Sequence, residues 1–186
     1  IDETGLLEIG PDSAGSDPGP VCYGFGNDRP TVTDANLVLG RIDARKPIGN
    51  KLTVLDRDAA VMAIKKHIAT PLGMKVEDAA EAIVKVANSK MAGAIRLISI
   101  ERGHDPKLFV AMPFGGGGAL HAGALMQDIG LAAAIVPRYP GVTSALGCVM
   151  SDLRNDEVQT LNIMLNSLDD EHLQKLVAEM TSSAEG

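Results

Sequence analysis

The sequence predicts an α/β fold that contains at least one parallel βαβ unit and one long, largely buried helix. Two apolar runs, residues 108–114 and 132–136, flank four glycines and a helical stretch, which is the order of a right-handed βαβ crossover. Apolar residues recur every 3.6 positions over residues 76–102, as in an amphipathic helix. Because aromatic residues make up only 3% of the chain, small aliphatic side chains must fill the core.

The N-terminal region is predicted to form a hairpin followed by an ordered loop. The hairpin spans residues 1–9 and turns around Glu3, Thr4 and Gly5. The loop covers residues 10–30, and eight of the seventeen residues 10–26 are Gly or Pro. Such a stretch cannot form a regular helix or a central strand, since Gly is costly to order and Pro lacks a backbone donor. Loops fixed on a rigid scaffold often carry function.

Two helices are predicted after this loop. Asp34 stands where a helix N-cap belongs, and residues 35–39 form a short helix that Gly40 stops. A second helix opens at Asp56 or Asp58 and runs to about Thr70. The long helix 76–102 comes next, with apolar residues also beside its main stripe, so much of its surface is expected to be buried.

The C-terminal third contains the βαβ unit and three further elements. The two apolar runs of the unit are read as buried strands joined by a Gly turn and the helix 119–129. Residues 142–153 are predicted to be helical and residues 157–165 to form a strand. Residues 169–184 form an amphipathic helix.

The four glycines of the βαβ unit are the first candidate binding site. Gly115, Gly116, Gly117 and Gly118 lie between a strand and a helix, where a ligand can approach the backbone and meet free N–H groups. No Walker A lysine follows, and His121 occupies the third Gly position of the Rossmann pattern. The turn therefore indicates a phosphate or ribose site or, equally, a tight structural turn.

Five other side chains are candidates for chemistry. His121 lies on the first turn of the helix after the glycines, where the helix N-terminus favours neutral imidazole. Asp34 is most simply an N-cap. Ser13 and Asp17 fit local turns of the loop, and Cys22 has no histidine beside it in sequence to activate it as a nucleophile.

Composition excludes several classes of partner and location. The net charge is 17 − 24 = −7 without a basic cluster, which argues against a nucleic-acid partner. Residues 108–126 carry no charge, but four glycines, a proline and a histidine argue against a membrane span. Two distant cysteines and no signal peptide indicate a reduced, cytoplasmic protein. The chain begins with Ile rather than Met, so we expect it to be part of a longer polypeptide.

Several stretches in a fixed order resemble the hydantoinase A / 5-oxoprolinase family. The first matching stretch is residues 10–26, which begins Gly-Pro-Asp-Ser-Ala-Gly-Ser-Asp-Pro-Gly-Pro, and the second is residues 30–41, which contains Thr-Val-Thr-Asp-Ala-Asn-Leu from Thr31 and ends at Arg41. Further matching stretches are residues 86–96, 101–106, 114–122 and 140–147. One departure is Ala119, where the family usually has a proline that opens the helix.

The resemblance implies a partial actin-like ATPase (ribonuclease H-like) domain over residues 1–156, with residues 157–186 starting the next region. It implies that Gly115–Gly118 and Ala119 hold the adenosine of ATP, with Mg²⁺ as a second cofactor and the metal ligands unknown. Asp34 and His121 become the candidate catalytic residues, and Ser13, Asp17 and Cys22 the candidate substrate loop.

The implied activity is ATP-dependent opening of a cyclic amide such as hydantoin, N-methylhydantoin or 5-oxoproline. This fragment alone is expected to be inactive. Two alternatives stay open: a subunit of an ATP-dependent ketone carboxylase, and a non-catalytic interaction module. The expected partners are a small cyclic amide and a hydantoinase B-type subunit or fused domain, in an oligomeric full enzyme.

Overall fold

Helix α4 (Val76–Ile98) organises the larger part of the fold. The structure is a computed structural model that describes residues 1, 4–47, 52–152, 154–164 and 169–185. The chain divides into two units, residues 1–144 and 145–186. The other α-helices of the described residues are α1 (Val32–Val38), α2 (Arg57–Ile64), α3 (Thr70–Leu72), α5 (Gly118–Ile129), α6 (Thr143–Met150) and α7 (Asp170–Glu185).

The main core lies where α1 and α2 pack against the first half of α4. Its buried members are small and aliphatic, as the scarcity of aromatic residues requires. In the described residues they are Cys22, Ala35, Leu37, Val38, Leu55, Ala60, Ile64, Ile68, Ala69, Ala79, Ala80, Ile83 and Val84. Close-packed alanines let these helices approach each other closely.

The prediction of a long helix is confirmed, but its burial is uneven. Alanines and β-branched residues of the first half of α4 are buried, whereas Leu97 and Ile98 at its end are exposed. A 3₁₀ turn, Ile100–Arg102, follows and ends at Gly103 in the left-handed conformation. The expectation of a helix buried on much of its surface therefore holds as far as Ala92 but not for the end of the helix.

Helices α1 and α2 begin with side-chain caps. The N-cap of α1 is Thr31, and Asp34 is the third helical residue of a capping box, which corrects the prediction that Asp34 is the N-cap. Asp56, one of the two predicted starts, caps α2 by accepting a hydrogen bond from Ala59 N at 2.8 Å. The helix continues through a π-helical turn, Lys65–Ala69, into α3.

The predicted βαβ unit is present, with short strands. Strands β1 (Val110–Ala111) and β2 (Ala133–Ala134) are parallel, with Val110 opposite Ala133, and α5 connects them. Both strands were expected to be longer and buried, yet Val110 is 51% exposed and Ile135 60%. Apolar runs of this kind are typical of strands covered on both faces, and a two-stranded sheet cannot provide that cover.

Two predicted strands are wrong for the described residues. Residues 4–9 of the expected hairpin have no strand, and Glu3 lies outside the described residues. This segment is instead held to α4 by Lys90, whose ammonium group pairs with Glu8 at 3.7 Å and donates to the carbonyl of Ile9. Residues 157–164 are also irregular, because apolar side chains such as Val158 have no face to bury. Residue 165 lies outside the described residues.

Candidate functional site

Asp34 joins the Gly/Pro loop to the start of α1. Its carboxylate is fully buried and accepts hydrogen bonds from the backbone N–H groups of Val21 (3.1 Å), Cys22 (2.8 Å) and Thr31 (2.8 Å). The hydroxyl of Thr31 donates a fourth hydrogen bond, also at 2.8 Å. The loop is therefore fastened to the helix by one side chain.

These contacts bear on the proposed catalytic role of Asp34. Oδ2 accepts three of these hydrogen bonds and Oδ1 accepts the fourth, and the Cys22 thiol also hydrogen-bonds this carboxylate, so its roughly four lone-pair sites are occupied. The group is also sealed from solvent, so neither a substrate nor a water molecule reaches it in this conformation. The geometry favours a structural anchor over a catalytic acid or base.

Cys22 lies beside Asp34 and is also buried. Burial, reinforced by the negative charge of Asp34 and a hydrogen bond to it, raises the pKa of the thiol to about 12. The reactive form of cysteine is the thiolate, which is negligible near neutral pH at such a value. The structure therefore gives no support to Cys22 as a nucleophile.

Gly19 shows that the loop has a fixed path. Its φ is +70°, and an added Cβ would lie 3.0 Å from the carbonyl oxygen of Ser16 and 3.0 Å from the ring of Tyr23. The carbonyl of Gly19 accepts a hydrogen bond from Asn27 Nδ2 at 2.7 Å. Only glycine fits this position without strain.

A cavity of about 570 Å³ opens between this loop and the N-terminal end of α1. Ser13 lines it, whereas Asp17 and Cys22 are not among its lining residues. Charged and hydroxyl side chains meet an apolar floor there, a combination typical of small-molecule sites. The polar lining residues include Asp12, Ser13, Arg29, Thr31 and Thr33, and the apolar lining residues include Ile68 and Ile83.

The Gly turn leads from β1 into α5. Gly117 is the N-cap of α5 and provides no side-chain cap; Leu120 N donates to the carbonyl of Gly117 at 3.1 Å, whereas the N–H groups of Gly118 and Ala119 have no side-chain cap. An added Cβ at Gly116 or Gly117 would meet nothing within 4 Å. The fold therefore does not need glycine at these two positions for space, and an open approach to the backbone is what a bound ligand would require.

His121 packs against α4 through a buried hydrogen bond. Its Nδ1 lies 2.7 Å from Asn88 Oδ1, and the two residues are 8% and 7% exposed. Burial lowers the pKa of His121, and the nearby Arg41 guanidinium lowers it further. The imidazole is therefore neutral at physiological pH.

The structure does not join the two predicted catalytic residues. Asp34 is in the first turn of α1, whereas Arg41, which acts on His121, follows the end of that helix. No hydrogen bond in the described part of the chain links Asp34 to His121. Sequence reasoning did not single out Asn88 or Arg41, although both lie within stretches that carry the family resemblance.

The described residues contain neither a metal-binding cluster nor a membrane-spanning helix. Within the described ranges, no group of three or more His, Cys, Asp or Glu side chains could hold a metal ion. No helix in the same part of the chain combines the length and apolar character needed to cross a bilayer. Both cysteines are free, with Cys22 buried and Cys148 exposed.

Comparison with known proteins tests the resemblance seen in the sequence. The family described as Hydantoinase/oxoprolinase matches residues 1–157, which confirms that resemblance. The caprolactamase subunit alpha of Pseudomonas jessenii is 43% identical over 166 residues, and 5-oxoprolinase 1 of Arabidopsis thaliana is 34% identical over 167. These alignments cover 89% and 82% of this chain.

Two solved structures share the fold. The crystal structure of ATP-dependent caprolactamase from Pseudomonas jessenii has a TM-score of 0.76 and 39% identity over 98% of this chain. A nucleotide-free structure of acetone carboxylase has a TM-score of 0.77 and 30% identity over 99%. The chain spans only 27% of either structure, 24% of the caprolactamase subunit and 13% of the oxoprolinase.

Proposed function

We propose, from the premise that this chain belongs to the hydantoinase/oxoprolinase family, that it is the nucleotide-binding part of an ATP-dependent enzyme that hydrolyses a cyclic amide. The observation that carries the proposal is the similarity to ATP-dependent caprolactamase over 98% of the chain, which includes the Gly turn, His121 and the Gly/Pro loop. Hydantoin, N-methylhydantoin and 5-oxoproline remain the candidate substrates.

The residues of the Gly turn fit a nucleotide. The space over Gly116 and Gly117 admits a ligand against the backbone, and the uncapped N–H groups of α5 favour an anionic or hydrogen-bonding group. When bound, ATP would supply the phosphoryl group that makes the amide carbon more electrophilic towards water. Ala119, at the second position of the helix, belongs to the same proposed site, and we retain the actin-like ATPase fold as part of the proposal.

The described residues do not fit Mg²⁺ as they fit a nucleotide. The described residues offer no cluster of ligands that fits a divalent cation, so no step here is assigned to a protein-held metal. A requirement for Mg²⁺ is expected only as the usual counter-ion of ATP phosphates.

His121 is assigned the proton transfer of the hydrolysis. Neutral imidazole at physiological pH can accept a proton from the attacking water while the water oxygen bonds to the amide carbon, and it can return that proton to the ring nitrogen as the carbon–nitrogen bond breaks. Asp34 is assigned to loop anchoring instead of catalysis, because its four hydrogen bonds leave it no free acceptor.

The cavity under the Gly/Pro loop is our proposed substrate side. Ser13 and Arg29 offer hydrogen-bond donors to an amide carbonyl, and the floor formed by Ile68 and Ile83 suits ring methylenes. Asp17 and Cys22 drop out of the proposed substrate loop, because neither lines this cavity.

A ketone carboxylase subunit is the second candidate. The acetone carboxylase structure matches this fold as well as the caprolactamase does, with TM-scores of 0.77 and 0.76. The two activities separate in one assay of a protein that includes this chain. Hydrolysis opens a lactam without bicarbonate, whereas carboxylation incorporates labelled bicarbonate into a ketone.

A subunit partner is part of the proposal. The caprolactamase relative is named as an alpha subunit, which is consistent with a hydantoinase B-type subunit or fused domain in an oligomer. Exposed apolar side chains such as Leu108, Phe109 and Phe114 suit burial against such a partner and also support the reading as an interaction module. A cytoplasmic location remains a prediction from cysteine usage.

The proposal is tested by calorimetric titration of MgATP into the 186-residue chain and into Gly116→Val. We expect micromolar binding, about −8 kcal/mol, that the variant loses by at least about tenfold, or 1.4 kcal/mol. Because a Cβ added at Gly116 meets no atom within 4 Å, we expect a loss to report a clash with the ligand, and unchanged far-ultraviolet circular dichroism of the variant would exclude misfolding.

Gly123→Val is the matched control. Gly123 lies on α5, which follows the Gly turn, and an added Cβ there also meets nothing within 4 Å, so this variant should bind MgATP as the original chain does. Absence of binding in the unaltered chain, or equal binding by Gly116→Val, would contradict the proposed ATP site.

A further inference from the structure

The hydrogen bond between Asn88 and His121 constrains the protonation pattern of the imidazole ring. We propose that Asn88 is a positioning residue that fixes His121 as the Nδ1–H tautomer, so that Nε2 is the nitrogen that accepts a proton. The tautomer is a property of this chain alone. Its use in hydrolysis rests on the proposed function.

The geometry determines which atom donates. Asn88 presents Oδ1 to the ring at 2.7 Å, and an amide oxygen can only accept a hydrogen bond. Nδ1 must therefore carry the proton in neutral imidazole. Both side chains are more than nine-tenths buried, on α4 and α5 respectively, so water does not compete for this contact.

The second ring nitrogen stays available. No described residue forms a hydrogen bond with His121 Nε2. The buried side-chain atoms without a partner in the described residues are Asn36 Oδ1 and His67 Nε2, and His121 Nε2 is not among them.

A positive charge beside the ring also keeps the imidazole of His121 neutral. Arg41, which follows α1, is the charged group that acts on His121, and its positive charge disfavours a second positive charge on the imidazole. A neutral ring with Nδ1 engaged and Nε2 free is the arrangement of a proton acceptor that a second residue orients.

The tautomer tests the pairing, and a second readout tests its use in proton transfer. A purely structural hydrogen bond between a buried asparagine and a buried histidine also gives one tautomer when the amide presents its oxygen. Positioning for proton transfer requires in addition that the pKa of His121 governs hydrolysis. The pH–rate profile of a protein that includes this chain therefore separates the two roles, because Asn88→Asp should move its acidic limb only if His121 accepts the proton.

The experiment is a long-range ¹H–¹⁵N correlation spectrum of the uniformly ¹⁵N-labelled chain at neutral pH. The chain has only four histidines, and His121→Gln identifies the signals of His121. We expect a protonated Nδ1 and an unprotonated Nε2. This spectrum needs no variant at Asn88, so the inference is tested even if such variants fold poorly.

Substitutions at Asn88 then test the cause. Asn88→Ala should give a mixture of both tautomers. Asn88→Asp should keep the Nδ1–H tautomer and raise the pKa of His121 by about 1 to 3, since an adjacent carboxylate stabilises imidazolium. Ser89→Ala, an exposed neighbour on the same helix, is the control and should change neither property.

A protonated Nε2 in the original chain, or an unchanged tautomer in Asn88→Ala, would overturn the inference. The outcome is independent of the ATP titration. The expected tautomer without ATP binding would refute the proposed function alone, and ATP binding with the opposite tautomer would refute only the role of Asn88.

Discussion

Replacing Asp34 by asparagine tests whether this residue anchors the Gly/Pro loop or acts in catalysis. The carboxylate accepts four hydrogen bonds, at 2.8 to 3.1 Å, in a fully buried position. Hydrogen bonds to a charged group contribute about 1.5–3 kcal/mol each. The asparagine amide of the Asp34→Asn variant can keep its oxygen towards Val21 and Thr31, but then its NH₂ faces the N–H of Cys22.

The expected cost follows from these contacts. One charge-assisted hydrogen bond is lost, about 1.5–3 kcal/mol, and the other three weaken as the charge disappears. Relief from burying a negative charge offsets part of this loss. We expect Asp34→Asn to lower the free energy of unfolding by about 3 kcal/mol. Asp34→Ala orphans four donors and should cost at least as much again, which threatens folding altogether.

Urea unfolding followed by far-ultraviolet circular dichroism measures this change. Asp56→Asn is the matched control, because Asp56 is an exposed N-cap and asparagine caps as well as aspartate does. The control should change the unfolding free energy by less than about 0.5 kcal/mol. An Asp34→Asn chain as stable as the control would refute the anchoring role and return Asp34 to the candidates for catalysis.

Three further outcomes are expected. A thiol reagent at pH 8 should modify exposed Cys148 and leave buried Cys22 unmodified until the chain unfolds, because the raised pKa of Cys22 suppresses its thiolate; fast reaction of both would contradict this. Gly19→Ala should destabilise more than Gly24→Ala, since both have positive φ but only Gly19 lacks space, and equal urea midpoints would disprove the crowding. Because the pKa of His121 is lowered in the folded chain, the unfolded chain binds a proton at a higher pH than the folded chain does. The free energy of unfolding should therefore keep its full value above pH 6.5, the ordinary pKa of histidine, and fall as the pH drops through the pKa of the folded chain. His121→Gln should flatten that part of the pH–stability curve.

Local signals account for what the sequence predicted well. The long helix, the Gly turn and α5 follow from periodicity and terminating glycines within a few residues of one another. The N-cap of α1 is Thr31, and Asp34 follows it three positions later. This Thr-x-x-Asp pattern resembles the Ser/Thr-x-x-Glu capping box, so the sequence itself contains the signal for Thr31 rather than Asp34 as the cap.

Contacts between distant residues explain what the sequence could not predict. Asn88 and His121 are 33 positions apart, and only the packing of α4 on α5 brings them together. The strand predictions failed for a related reason, because an apolar run becomes a strand only when a neighbour supplies hydrogen bonds and cover. The role of Asp34 likewise depended on where residues 21 and 22 fold back.

The distribution of the main core sets the order in which parts of the fold open. Its buried members, in the described residues, all lie between Cys22 and Val84, so the Gly turn and α5 contribute none of them. Regions with few buried apolar contacts exchange their amide hydrogens through local opening, at a lower free energy than the core. A nucleotide held at the Gly turn would stabilise the closed form of that region by mass action. Binding of a nucleotide at the Gly turn should therefore slow amide exchange in α5 first. The amide exchange of α1, α2 and the first half of α4 should change less.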